Sequence, residues 1–191
     1  MQPSADIATR ARVLLTEHGD VRSQPGSDWR GSVPLPAKLA DFYERVGPIN
    51  ITIESYGNAY FLPSLGKLWD FQAGYRWNGL TGEPIHDWHD EWIVVADKGG
   101  DPFIFNRTSS TVLFAYHGQG VWKPEEWFSD LPTMAACLAE FGSAFQAAGD
   151  NFTDADSYVR PECRERAIRK ITEIVGSRSQ AEAIVDGAGW G

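Results

Sequence analysis

Cysteine is scarce in this chain: Cys137 and Cys163 are the two among 191 residues. That is too few for the disulfide framework of a small secreted domain, and neither stands at metal-ligand spacing from another Cys or His, so both are expected to be reduced thiols. No apolar run approaches the roughly 18 residues of a membrane span. The first residues, Met1-Gln-Pro-Ser-Ala-Asp-Ile-Ala-Thr-Arg10, lack the apolar stretch of a secretion signal, so a cytoplasmic location is expected. There is no internal repeat and no low-complexity block. Basic residues are thin in one region only: residues 51–150 carry five Lys or Arg against thirteen Asp or Glu, while the segments on either side are close to neutral. Most of the formal charge of -9 therefore sits in the middle of the chain. Such a segment repels phosphate backbones, which argues against direct nucleic-acid binding, and it attracts basic proteins.

What the chain has in quantity is aromatic surface. Aromatic residues make up 13% of it, and six of its eight Trp (69, 77, 88, 92, 122 and 127) fall within the acidic middle. That content argues against disorder, and the length suffices for a hydrophobic core without metal or disulfide support. Periodicity predicts a helix over about Ala5 to His18, with Ser4 as its cap, followed by a turn-rich loop through residue 33. Pro36 opens a second helix with Leu39, Phe42, Tyr43 and Val46 on one face, and Gly47-Pro48 ends it. The period then drops to two. Ile49, Ile51 and Ile53 alternate with polar residues, and Tyr56-Gly57-Asn58 turns the chain into a second strand at 59–62.

A short helix is expected within 64–77 and a loop over 78–91. Three apolar runs, 92–96, 102–106 and 111–116, are separated by short turns and predict an antiparallel meander. Residues 117–130 read as an aromatic loop. A helix capped by Asp130 follows, with Met134, Cys137, Leu138, Phe141 and Phe145 on one side, ending at Gly149. Beyond it come a helix bearing Ile168, Ile171 and Val175, then a shorter one with Ser179 and Glu182 as a capping box, then a tail expected to fray. The predicted class is α+β: an antiparallel sheet of about five strands with helices packed against it. The predicted division is an N-terminal helix and loop (1–33), a central domain (34–149) and a C-terminal helical extension (150–191).

Three strings in this order resemble the SUKH superfamily, which includes the Smi/Knr-type cell-wall synthesis regulators and many bacterial immunity proteins. They are Leu35-Pro36 opening the helix that runs to Gly47; Trp92-Ile-Val-Val-Ala-Asp-Lys-Gly-Gly-Asp-Pro-Phe-Ile-Phe-Asn106, similar to the family's strand, Gly-Asp turn and strand; and Thr111–Tyr116 with the helix after Trp127-Phe-Ser-Asp-Leu131. The resemblance spans about residues 34–148. It departs from the family at Val46-Gly47-Pro48, where an Asn-Gly-Gly-like turn is frequent, and at Asn106, where Asp is common. It implies a SUKH-like fold and a cytoplasmic immunity protein that neutralises a cognate bacterial toxin, a nuclease or other nucleic-acid-modifying domain with a basic surface. The alternative it carries is a regulatory scaffold with several protein partners.

The residues themselves offer little chemistry. His86-Asp-Trp-His89-Asp90-Glu91 spaces its two His at i, i+3 in a Pro-containing loop, without a third ligand, so neither a metal site nor a metal-dependent enzyme is favoured. Cys137 lies on an apolar helical face, no Gly-x-Ser-x-Gly elbow occurs, and Gly118-Gln-Gly120 lacks the strand-to-helix setting of a phosphate loop. The basic string 160–170 reads as the solvated face of an amphipathic helix. No catalytic residue, cofactor or metal is assigned. The candidates are contact residues in the two long central loops: Trp77, Asp87, Trp88, Asp90 and Glu91 in one, Trp122, Glu125 and Glu126 in the other. Trp supplies anchors and carboxylates pair with Lys or Arg of a partner. Trp69, Trp92 and Trp127 are read as core.

Overall fold

The alternation that begins at residue 51 produces one sheet, whose strands lie side by side in chain order in a computed structural model describing residues 6–191. They are β1 (Ile51–Ile53), β2 (Tyr60–Leu62), β3 (Trp92–Lys98), β4 (Asp101–Asn106), β5 (Val112–Phe114) and β6 (Glu125–Phe128), each antiparallel to its neighbours. Ile53, Tyr60, Ile93, Phe103, Phe105, Phe114 and Phe128 project to one face and join the main core. Val94, Ile104 and Ala115 project to the other and join a second, smaller core. Both faces are covered, which is why the central strands read as continuous apolar runs rather than as alternation.

The sixth strand corrects the reading of 117–130 as loop throughout. Glu125 and Glu126 pair with Phe114 and Leu113 while exposing their side chains at the sheet edge. Charged edge strands protect against further pairing, and the same charges hide the strand from a search for apolar alternation.

Six helices complete the order: α1 (Ile7–Leu15), α2 (Ala37–Arg45), α3 (Leu65–Leu68), α4 (Leu131–Ala148), α5 (Pro161–Val175) and α6 (Arg178–Val185). The central one is α4. Asp130 caps it by accepting from Thr133 N–H at 2.8 Å, and Cys137 and Phe141 are fully buried on it, against α1, α5 and the sheet. A Cβ at Gly142 would lie 2.3 Å from Ile53, so glycine there permits the helix to approach β1 closely. His18 Nε2 bonds the Ala139 carbonyl at 2.9 Å and fastens the end of α1 to the same helix. Residues of α1, α5 and α6 thus enter one core with the strands.

Several boundaries move. The first helix is capped by Asp6, whose carboxylate accepts from Ala8 and Thr9 N–H; the expected cap Ser4 lies outside the described residues. Residues 64–77 hold only one helical turn and a 3-10 turn at Asp70–Gln72. The cap of α6 is Ser177, not Ser179, because the chain enters the helix two residues earlier.

The largest correction is at the C-terminus. The tail is not frayed: Trp190 is fully buried, stacked against Phe141 at 4.9 Å and Phe152 at 4.7 Å. A wide π-type turn over Asp186–Trp190, with Gly189 at φ 83°, swings the indole inward.

The face away from the helices is held by Gln72. β2 pairs with β3 only at Phe61 and Tyr60, leaving Val94 without a strand partner on that side. The buried Gln72 amide takes that place: its Oε1 accepts from Val94 N–H at 2.8 Å and its Nε2 donates to the carbonyls of Val94 (2.9 Å) and Leu68 (2.8 Å). Gln24 acts alike, donating to the Pro48 carbonyl and accepting from Leu65 N–H.

Gln72→Ala leaves buried donors and acceptors unpaired and should cost about 2–4 kcal/mol in urea denaturation. Trp190→Ala should cost about 3–5 kcal/mol in the same assay; a loss near zero would mean the tail does not belong to the core.

Candidate functional site

Residues 69–91 run across the outer face of the sheet, and their backbone is well tied. Gly74 N–H donates to Trp77 C=O at 2.7 Å, Asn78 to Glu83 at 2.8 Å and Ile85 to Arg76 at 3.0 Å, forming a small hairpin. Its tip is an Asx turn in which Asn78 Oδ1 accepts from Leu80 N–H (2.9 Å) and Thr81 N–H (3.2 Å). The turn presents Leu80, 99% exposed.

Beneath this hairpin the aromatic residues form two groups. Trp77 is half-buried against Trp69 at 5.4 Å, which meets Trp29 at 5.5 Å. Trp88 meets Trp122 at 5.6 Å, Trp92 at 5.4 Å and Tyr75 at 5.9 Å. Trp88 is buried, which corrects its reading as an exposed anchor: it is the centre of the second core, and only Trp77 and Trp122 keep part of their surface free. Of the three Trp read as core, none is fully buried; Trp69, Trp92 and Trp127 are all half-buried at the margins of the two clusters.

The carboxylates of the first loop all lie on this face and each has a definite partner. Asp87 Oδ2 accepts from Trp122 N–H at 2.9 Å, joining the two predicted loops. Asp90 pairs with Arg76 at 2.7 Å, and Glu91 with Arg107 at 3.8 Å. Arg76 is 16% exposed, its guanidinium 5.6 Å from the Trp69 ring, whereas Asp90 above it is 93% exposed. The cation is therefore underneath and the anion on top. A partner approaching this face meets oxygen.

Glu125 and Glu126 belong elsewhere. They lie on β6 beside a cleft under α6, so the eight predicted contact residues divide between two surfaces. Leu80 and the Asp101–His117 pair were not anticipated. His117 Nδ1 lies 2.6 Å from Asp101 Oδ1, which also accepts from His117 N–H at 2.8 Å. An apolar residue inside Asn78-Gly-Leu-Thr-Gly82 was a readable sign of an exposed tip; the Asp–His pair needed the β4–β5 register. His86 and His89 are exposed, and the His89 ring rests on Trp92 at 4.7 Å. Among the described residues no three His, Cys, Asp or Glu side chains converge as metal ligands, and no helix is long and apolar enough to cross a membrane. No family model, curated protein or solved structure matches the chain.

One titrating group ties the outer face to the sheet. Asp97 Oδ2 accepts from Tyr75 O–H at 3.0 Å and Gly100 N–H at 3.3 Å. Burial holds its carboxyl above the ordinary range, with those two hydrogen bonds pulling the other way. A carboxyl raised in the folded state binds its proton better there than in the unfolded chain, so stability falls as pH rises from about 4 through the raised value. Asp97→Asn retains an oxygen for both donors and should remove that decline. Melting temperatures of the two proteins across the acid range should diverge toward neutral pH, with the variant the more stable; parallel profiles would contradict the assignment.

Proposed function

We propose that the chain is a non-enzymatic protein-binding domain acting in the cytoplasm, an immunity protein of the SUKH type that neutralises a toxin with a basic surface. A nuclease or other nucleic-acid-modifying domain fits, because such enzymes hold their substrate with Lys and Arg that an acidic inhibitor can cover. The observation that carries this reading is the layering of charge on the outer face, where Arg76 is sunk beneath an almost fully exposed Asp90. Asp87 and Glu91 extend the acidic surface, and Leu80 stands beside it on a turn fixed by Asn78. A rigid apolar tip next to oriented carboxylates combines an anchor with electrostatic steering. The order of the three SUKH-like strings supports the family part of the proposal.

The adjacent gene product is the partner to test, by stopped-flow association at low and high salt. Combined Asp87→Asn, Asp90→Asn and Glu91→Gln should slow association about tenfold and flatten its salt dependence, with dissociation little changed. Leu80→Ser should mainly speed dissociation. A salt-independent association rate in the unaltered protein would sink the steering argument. Many cellular partners in a pull-down, with no rescue of toxin-treated cells, would favour the regulatory scaffold instead.

A further inference from the structure

On the helix-bearing side of the molecule, between the sheet edge at β6 and helix α6, two adjoining cavities of about 520 and 290 Å³ share Phe114, Tyr116, Trp127 and Gly187 and make one cleft. Its floor is aromatic. Phe114 and Trp127 stack 4.1 Å apart at 30°, and Tyr116 meets Phe114 edge-on at 5.0 Å. Its far wall follows α6, where Gly187 passes so near Trp127 that a Cβ would fall 2.5 Å from the indole. The Tyr116 hydroxyl donates to the Gly187 carbonyl at 3.1 Å and ties wall to floor, so the cleft exists before anything enters it.

The charge in the cleft is mostly negative. Glu125 and Glu126 line the larger part, are exposed, and form no ion pair among the described residues. Asp101 lines the smaller part. Two cations oppose them, but Lys98 is already engaged: its Nζ donates to the Ala188 carbonyl at 2.9 Å and lies 5.3 Å from the Tyr60 ring. Lys123 is exposed on a loop that lines the larger cavity. The Tyr116 phenol registers the local field, since burial pushes its pKa up and the charges of Asp101 and Glu125 push it further.

Aromatic surfaces bordered by unpaired carboxylates favour a flat, weakly hydrated cation over a compact ammonium. A guanidinium stacks on rings and presents a planar fork to a carboxylate. We propose that this cleft receives an arginine side chain of the partner protein, stacked on the Trp127–Tyr116 surface and paired with Glu125 or Glu126. The inference rests on the protein-binding reading above, but it concerns a surface separate from the outer face.

The test is an NMR titration of the full chain with a short Gly/Ser peptide carrying one Arg, and with the same peptide carrying Lys or citrulline. The Arg peptide should shift the Trp127 indole and the backbone of Phe114 and Tyr116, with the Lys peptide weaker and the citrulline peptide about tenfold weaker or more. Glu125→Gln with Glu126→Gln should weaken Arg binding by a similar factor. Ala183→Trp, a change on the exposed side of α6 where it lines the cleft, should abolish it without touching the core. Equal binding of citrulline, shifts confined to other surfaces, indifference to Ala183→Trp, or no binding at millimolar peptide would each overturn the proposal. The outer-face variant Asp87→Asn/Asp90→Asn/Glu91→Gln should bind the Arg peptide as the unaltered chain does. If the toxin binds and Ala183→Trp leaves that binding unchanged, the cleft inference fails while the immunity reading stands; if the Arg peptide binds and the toxin does not, the reverse holds.

Discussion

The side-chain amide of Gln72 stands where a strand would otherwise have to be. By pairing with both backbone groups of Val94 it closes the ladder of the sheet at the point where β2 ends, and it brings the start of the long crossing segment down onto the outer face. A buried amide with all its partners in place is specific in a way apolar contact is not, since any slip of register leaves donors and acceptors unmet. Tyr75, Trp88 and Trp122 then have a fixed surface to pack on, and the hairpin above them inherits its position from theirs.

This arrangement gives one sheet two different duties. The helix-bearing face is covered by a large continuous core in which α1, α4, α5 and the C-terminal Trp190 take part. The other face is covered by a thinner layer of loop, and a thin layer can afford charges on its outside while keeping its aromatics beneath. Arginines that would otherwise cancel the acidic character are drawn under it by Trp69 and by the backbone carbonyl of Asp90. The outward charge is thus a product of layering as well as of composition.

Much of this was legible in the residues. Pro36, the spacing of Leu39, Phe42 and Tyr43, and Asp130 ahead of the long helix located α2 and α4, because caps and periodicity act within a few residues. The three apolar runs of β3, β4 and β5 were equally plain. What escaped notice depended on partners distant in the chain. The strand at Glu125–Phe128 carries its charges on an edge and so lacks the expected pattern, and Trp190, flanked by glycines, looks like a loose end until Phe141 and Phe152 are known to await it. Trp77 and Trp88 stand in one acidic loop with similar neighbours, yet one is half-exposed and the other buried, a difference set by Tyr75 and Trp92 and not by local sequence. The division of the candidate carboxylates between two surfaces likewise follows from strand pairing alone.

The chain-order arrangement of the strands has a kinetic meaning as well. From β3 to β6 each pairing closes a short loop between neighbours in the chain, which costs little entropy and favours early zippering. Only one step in the sheet must wait for a long closure, the joining of β2 to β3 across residues 63–91. That is the segment carrying Gln72, so the amide that completes the ladder also tethers the middle of the longest loop in the sheet. It divides one slow search into two shorter ones.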